Sequence, residues 1–444
     1  MKRDFLLLLA LGIIFSLSAF SQDKRELKRK FVEAEYRLLY DEYREALPLF
    51  LELYEAGEKT PNINYRIGQC YLEIDGEKSK AIKYLEKASE NLTNEYEVGY
   101  FEEKKAPIKA LYYLGISYRI DNKINKAIRL FKSYKQKLSP DQKEEIHLAE
   151  AQIKACNTAL ELKKSPTNIL EQNLGKRINS SFSNTNAVVS GDEQIMVFVS
   201  ELPFYDAVFF SEKRGNKWST PRNISLDFQS ERPVKPVHLS YDGTILYLVR
   251  DDNNDFNIYT SKYAKNKWSP IEPLSDIINS DDFEMHASTT KDGNILYFTS
   301  NRKGGYGGYD IYKSVKDENG VWREPVNLGG KINTPFDEAT PFITEDRNKL
   351  YFSSKGHSNM GGYDIFYSEN KNNNWSQPVN MGFPINTTDD DLFFFPLDNG
   401  NIAYYSKVKE TGYGKKDIYR VKLYERENIP TKEKDLRTKD SNKN

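Results

Sequence analysis

The 444-residue chain is poor in the residue types that announce chemistry. It has two cysteines, Cys70 and Cys156, which form no CxxC pair, so redox and zinc signatures are missing. Its four histidines, at 147, 238, 286 and 357, share no register and make no ring of metal ligands. No HExxH, GxSxG or GxxxxGK[ST] motif occurs, which removes the enzyme classes those motifs define. A charge excess of one sign is missing too. The 64 Lys+Arg against 65 Asp+Glu leave a net −1, without the basic surplus that binding a phosphate backbone demands. No nucleic-acid partner is expected. Apolar runs long enough to be notable are confined to the N-terminus.

That N-terminus reads as a secretory signal peptide over residues 1–21. Lys2 and Arg3 supply the positive start, Phe5 to Leu17 the apolar stretch, and Ala19-Phe20-Ser21 the small-x-small cleavage site before Gln22. No cysteine lies near the cleavage site to carry a lipid. The mature chain is expected to be exported. An oxidising compartment permits a disulfide, but Cys70 and Cys156 each sit on an apolar helix face, the setting of a buried free thiol.

Residues 23–164 carry apolar side chains at i, i+3, i+4, the spacing of amphipathic helices. Asn64-x-x-Ile67-Gly68-x-x-Tyr71 followed by Ala81-x-x-x-Leu85-x-x-Ala88 recurs as Leu111-x-x-Leu114-Gly115-x-x-Tyr118 followed by Ala127-x-x-x-Phe131. A weaker copy has Ala34, then Tyr43-x-x-Ala46-x-x-x-Phe50. A small residue on one helix lets its partner approach, and the large ones fill the groove beside it. This pattern resembles tetratricopeptide repeats, three units with a closing helix near 141–163, and implies an α-solenoid. The usual first-position Trp is absent, and an insertion near 95–103 separates the second and third units. The resemblance implies a concave groove faced by Tyr65, Gln69, Lys109, Tyr112 and Arg119, a candidate partner-binding surface.

Beyond Pro166 the period changes from 3.6 to 2. Aromatic residues reach 13% of the chain, with 30 Tyr and 24 Phe, which points to much β-sheet. All four Trp, at 218, 268, 322 and 375, fall here at spacings of 50, 54 and 53. Ile245-Leu-Tyr247, Ile295-Leu-Tyr297 and Lys349-Leu-Tyr351 follow turn residues, and Asn257-Ile-Tyr259, Asp310-Ile-Tyr312, Asp364-Ile-Phe366 and Asp417-Ile-Tyr419 come about a dozen residues later. Three or four short strands per copy at this period make a propeller blade. Gly-Gly-Tyr-Asp-Ile-Tyr and Trp-x-x-Pro-Val-Asn-Leu-Gly resemble the WD40-like repeat of the TolB type, PD40, over residues 166–425. The remaining 426–444 are Lys-rich, without apolar periodicity, and read as a disordered charged tail.

The register also predicts how the ring closes. Asn173-Leu-Gly175-Lys-Arg-Ile178-Asn179-Ser180 matches Asn327-Leu-Gly329-Gly-Lys-Ile332-Asn333-Thr334 without a gap. Residues 168–175 therefore occupy an outer-strand slot, which the last copy lacks after Tyr419. Five blades closed by this N-terminal strand satisfy the register; six blades are the alternative. The fold class is multidomain, α then all-β.

Three features invite a chemical reading. Asp251-x-Asn253-x-Asp255 begins like a calcium loop, but Phe256 and Lys262 stand where Gly and Glu belong, so no metal is expected. The repeated Asp of Asp-Ile-Tyr suits a carboxylate accepting N–H bonds at a turn. Glu284, Glu338 and Asp391 share a register before the innermost strand, where Asn184 and Val234 stand in the first two copies. As carboxylates at a channel mouth they are candidates to attract a cation or a basic partner segment; the competing role is hydrogen bonding to loops. No cofactor is expected.

Signal peptide, tetratricopeptide units and PD40 propeller in this order are similar to periplasmic proteins of the type IX secretion and gliding apparatus. The resemblance implies a non-enzymatic scaffold in the periplasm, associated with the outer membrane and with envelope proteins as partners. The OmpA-like peptidoglycan-binding domain that many relatives carry is not seen in this sequence. The alternative is a glycan- or peptide-binding sensor or hydrolase that uses the propeller mouth.

Overall fold

The computed structural model describes residues 24–253, 255–372 and 374–424. The expected signal peptide and the charged tail lie outside them. The chain divides into two compact units, Met1–Cys156 and Asn157–Asn444. Among the described residues, no helix is long and apolar enough to cross a membrane.

Seven α-helices are described: α1 (24–39), α2 (Tyr43–Glu55), α3 (Pro61–Leu72), α4 (Ala81–Ala88), α5 (Ala110–Ile120), α6 (Ile124–Lys137) and α7 (Lys143–Leu162). Consecutive helices pack as hairpins, α3 on α4 and α5 on α6. The reason lies in two glycines. A Cβ on Gly68 would stand 2.4 Å from Leu85 Cγ, and one on Gly115 would stand 2.6 Å from the Phe131 ring. Those are the small–large pairs of the repeat, and only a bare backbone admits the partner helix so closely. The insertion before α5 forms a two-residue parallel ladder, Leu92–Thr93 against Ala106–Pro107.

The second unit is a five-bladed β-propeller. In blade one the strands are Ser183–Val189, Ile195–Glu201, Asp206–Arg214 and the short outer pieces Lys217–Trp218 and Arg222–Asn223. Blades two, three and four begin at Val234, Glu284 and Glu338 and repeat the antiparallel order. Blade five takes Phe395–Leu397, Ile402–Lys407 and Asp417–Leu423, and its fourth strand is Ile169–Asn173 from the start of the unit. The pairing runs from Tyr419 with Asn173 to Leu423 with Ile169, so the predicted closure and blade number are both realised. It leaves no open edge at the seam.

Repeated polar residues lock each blade to the next. Asn333 takes the Ile311 N–H at 2.8 Å and donates to the Ile311 carbonyl at 3.0 Å. Asn386 holds Ile365, Asn279 holds Ile258 and Asn179 holds Ile418 by the same two-point clamp. The Asn179 clamp ties the first repeat to the last. The Trp residues pack between blades: Trp268 of blade two lies edge-on to Phe210 of blade one, and Trp375 of blade four to Tyr297 of blade three. Aromatic area at these seams is what holds neighbouring sheets in contact.

Candidate functional site

The helical candidates are largely interior. Tyr65 is buried against Tyr96 and Tyr113, and Tyr112 against Phe131 and Tyr134. Arg119 is buried as well. The expectation that these three face a groove is corrected, and the helix geometry gives the reason. Tyr65 and Tyr112 lie three residues before Gly68 and Gly115, and Arg119 lies four after Gly115. They share the face that the glycine presents to the packed neighbour. Gln69 and Lys109 are half-buried, and Gln69 accepts from Arg66 Nη1 at 2.9 Å. Arg66 itself forms a buried ion pair with Glu35 of α1, at 2.6 Å, which helical periodicity alone did not single out.

The channel carboxylates are interior too. Glu284 and Glu338 have no exposed surface and Asp391 only 8%, so they do not rim an open mouth. Each caps the loop four residues earlier. Glu338 accepts from Thr334 N at 2.9 Å, Thr334 Oγ1 at 2.8 Å and Ser354 Oγ at 2.8 Å. Glu284 accepts from Ser280 N, Ser280 Oγ and Ser300 Oγ, and gains Arg302 Nη2 at 3.0 Å. Asp391 accepts from Thr387 N and Oγ1, and Asn184 plays the part in blade one with Ser180. Val234 has no such oxygen, and there Ser230 Oγ donates to the Arg232 carbonyl instead. Burial pushes Glu338 up to about 7, against its hydrogen bonds. Asp391 also rises to about 7 by burial, opposed by Lys407.

The Asp of Asp-Ile-Tyr is likewise engaged. Asp310 accepts from Tyr306 N, Gly307 N and Asn327 Nδ2; Asp364 and Asp417 repeat the set with Met360, Gly361, Asn380 and with Tyr413, Gly414, Asn173. A second repeated device escaped the sequence reading. Ser190, Ser240, Thr290 and Thr344 each donate to the Asp two residues on and accept the N–H five residues on. The spacing S/T-x-D five residues ahead of the second strand was its signal in the first four blades; blade five has Leu397 and Asn399 there. Among the described residues, no cluster of His, Cys, Asp or Glu side chains could hold a metal ion.

The axis itself breaks the repeat. Residues paired with the equivalent second-strand position are Val188, His238, Ser288, Phe342 and Phe395, one from each blade. All five are buried. Phe342 meets Phe395 edge-on at 5.0 Å, and His238 of blade two meets Phe395 of blade five at 5.9 Å across the intervening blade. These rings plug the channel. Above them, on the face of the first-to-second-strand turns, lies a small cavity of about 40 Å³. His238, Ser288, Thr289, Phe342 and Phe395 line its inner part, and Tyr241, Lys291, Glu345 and Asn399 its rim. Lys291 pairs with Glu345 and lies 4.0 Å over the Tyr241 ring, which leaves this rim pair neutral. Burial lowers His238 to about 3, so its imidazole is uncharged.

No family model and no curated protein matches the chain. Among solved structures it is similar to TolB from Acinetobacter baumannii, at 16% identity and TM-score 0.37, covering 54% of this chain and 54% of that one. The chain thus spans about half the length of that TolB. A putative TolB from Agrobacterium tumefaciens gives 13% identity, TM-score 0.35 and coverage of 56% and 78%. An α-L-arabinofuranosidase from Lactobacillus brevis gives 13%, 0.38, 57% and 94%. None of these likenesses carries a role to this chain.

Proposed function

We propose that this chain is a non-enzymatic interaction scaffold, exported to the periplasm and associated with outer-membrane envelope proteins. In this reading the helical unit is a tetratricopeptide-type solenoid, the propeller is of the PD40 type, and the pair serves as an accessory of a secretion or motility complex. The observation that carries it is where the repeated polar residues go. The carboxylates of Asp310, Asp364, Asp417, Glu284, Glu338 and Asp391 all accept N–H bonds that fix loops. Groups so engaged build a rigid frame and are not poised for proton transfer to a substrate. Such repeat frames present broad surfaces to partners. Large apolar side chains support the same reading: Phe204 is 97% exposed and Leu226 92% on the propeller, and Leu39 77% on α1.

The test is crosslinking of a tagged full-length chain in cells, followed by mass spectrometry of the envelope fraction. A reproducible set of envelope proteins is expected, reduced when Phe204 and Leu226 are replaced by Ser. Crosslinks to no protein above an untagged control would refute the scaffold reading.

A further inference from the structure

The seam where blade five meets blade one is open where a sister seam is packed. Strand register makes Arg420, paired with Tyr404 and Gln172, the counterpart of Phe210, paired with Val197 and Arg222. Lys213, opposite Trp218, is likewise the counterpart of Tyr263, opposite Trp268. Between blades one and two, Phe210 meets Tyr263 at 5.1 Å and Trp268 at 6.2 Å, so aromatic rings occupy the seam. Between blades five and one, charged side chains stand in their place and line a cleft of about 450 Å³.

Charge in this cleft is one-sided. Arg177, Lys213, Lys217 and Arg420 line it against a single carboxylate, Glu193. Glu193 is already engaged: it accepts from Arg420 Nε at 2.8 Å and Nη2 at 3.1 Å, and from the Tyr404 hydroxyl. Four cations against one carboxylate leave the lining three positive charges in excess, in a chain whose net charge is −1. The repeat does not require this. Lys331, the counterpart of Arg177 in the seam between blades three and four, donates to Asn374 Oδ1 at 2.9 Å, and Asn374 stands where Lys217 does. Between blades one and two the same two positions hold Asp227 and Lys267. Those seams set a cation against an acceptor or an acid, whereas the closing seam sets two cations together. Arg177 spends Nη1 on the Trp218 carbonyl at 3.0 Å, and among the described residues neither its other N–H groups nor the Lys217 ammonium has a partner.

Three of these cations gather about one residue. Arg177 is bonded to the Trp218 carbonyl, Lys213 Nζ lies 5.0 Å over the Trp218 ring, and Lys217 precedes it in the chain. Like charges held together repel, and an anion between them removes that cost. A carboxylate brings one negative charge; a phosphate monoester brings about −1.5 to −2 at neutral pH, with three acceptor oxygens that suit the guanidinium fork. A bare phosphate fills only a small part of the cleft. The exposed amides of Gln172 and Asn216 line it too, and amides donate to and accept from hydroxyl groups. We propose that this seam binds a small soluble phosphate monoester with a hydroxylated body, of the sugar-phosphate class, its phosphate on Arg177, Lys213 and Lys217. The site goes beyond the scaffold reading and does not depend on it.

Calorimetry on the full-length chain, at neutral pH and low ionic strength, tests this with glucose 6-phosphate, glucose and inorganic phosphate. Glucose 6-phosphate should bind saturably with a dissociation constant of about 1 mM or below. Glucose, without the charge, should bind about tenfold more weakly or not at all. Inorganic phosphate, without the hydroxylated body, should bind about threefold more weakly or less. Added salt should weaken the ester's binding, because the contact is between charges open to solvent. Arg177→Gln and Lys217→Asn should each cost about fivefold or more in affinity. Both side chains are exposed, so the variants keep the fold. Lys331→Gln, at the Arg177 position of the sister seam, should change affinity by less than about twofold and controls for general surface charge. No saturable binding of glucose 6-phosphate, equal binding of glucose, or equal losses from Lys331→Gln and Arg177→Gln would overturn the proposal. Inorganic phosphate binding as tightly as the ester, or binding of the chain to phosphatidic acid vesicles without binding of the ester, would overturn it as well.

Discussion

Replacing Glu338 with Gln should stabilise the propeller at pH 8 and change nothing of that kind at pH 4.5. The carboxylate has no exposed surface and is held by Thr334 and Ser354 alone. Glu284, in the same register, has Arg302. Blade four has Gly356 where Arg302 stands in blade three, and a Cβ there would fall 1.9 Å from Thr334 Oγ1, so no cation can be supplied from that position. Burial accordingly raises Glu338 from 4.5 to about 7. A raised acid binds its proton more tightly in the folded state. Its burial penalty is therefore absent below pH 4.5, grows as pH rises, and is complete above about pH 7. At about 1.4 kcal/mol for each tenfold in proton affinity, that penalty is about 3 kcal/mol. Glutamine copies the protonated form in shape and charge, so the variant never incurs it. The assay is urea unfolding by tryptophan fluorescence across pH 4.5–8.5. All four tryptophans lie in the propeller, so the signal reports that unit alone. The variant-minus-wild-type stability should climb by about 3 kcal/mol over this window, on top of any constant offset. A difference that stays flat within about 0.5 kcal/mol would refute the argument.

Three further outcomes are expected. Deleting residues 166–176 removes the strand that pairs with Asp417–Leu423, together with the Asn173–Asp417 bond, and should lower the propeller's melting temperature by about 10 °C or more; an unchanged melt would contradict the closure. Gly68→Ala and Gly115→Ala should each destabilise the helical unit by about 2–3 kcal/mol, read by far-UV circular dichroism, because the new methyl meets Leu85 or Phe131 inside contact distance. Cys70 and Cys156 are free and buried, and burial pushes the thiols up to about 12 and about 11. Both should resist a disulfide-exchange reagent at pH 8 until the chain unfolds, then titrate as two; rapid reaction of either in the native state would count against this.

The frame was legible because identical local problems recur and are solved by identical residues. The match of Asn173-Leu-Gly175 to Asn327-Leu-Gly329 placed the closing strand, and the bonds repeat as the letters do. Asn173 Nδ2 reaches Asp417 and Asn327 Nδ2 reaches Asp310, each at 2.7 Å, and each side chain then accepts the glycine N–H at 2.8 Å. The directions of helical side chains were less legible. Tyr65, Tyr112 and Arg119 look like surface residues by type, yet their offsets from Gly68 and Gly115 put them on the packed face. The glycine was the better guide to direction than the polarity of its neighbours.

The axis was not legible, and the reason lies in the symmetry of the ring. Val188, His238, Ser288, Phe342 and Phe395 occupy one structural position in five blades, yet they share neither size nor polarity. A search for what repeats passes over them by construction. The carboxylates that do repeat hold loops, the asparagines that repeat clamp blades, and the hydroxyl–Asp pairs that repeat close turns. A ring needs the same bonds at each blade, so periodic residues belong to the frame. The axis, where all five blades meet at once, imposes no such period. It holds one histidine from one blade and aromatic rings from two others, packed on one another. In a closed ring of near-identical units the periodic residues fix the frame, and the side chains that fill its centre are free to differ from blade to blade.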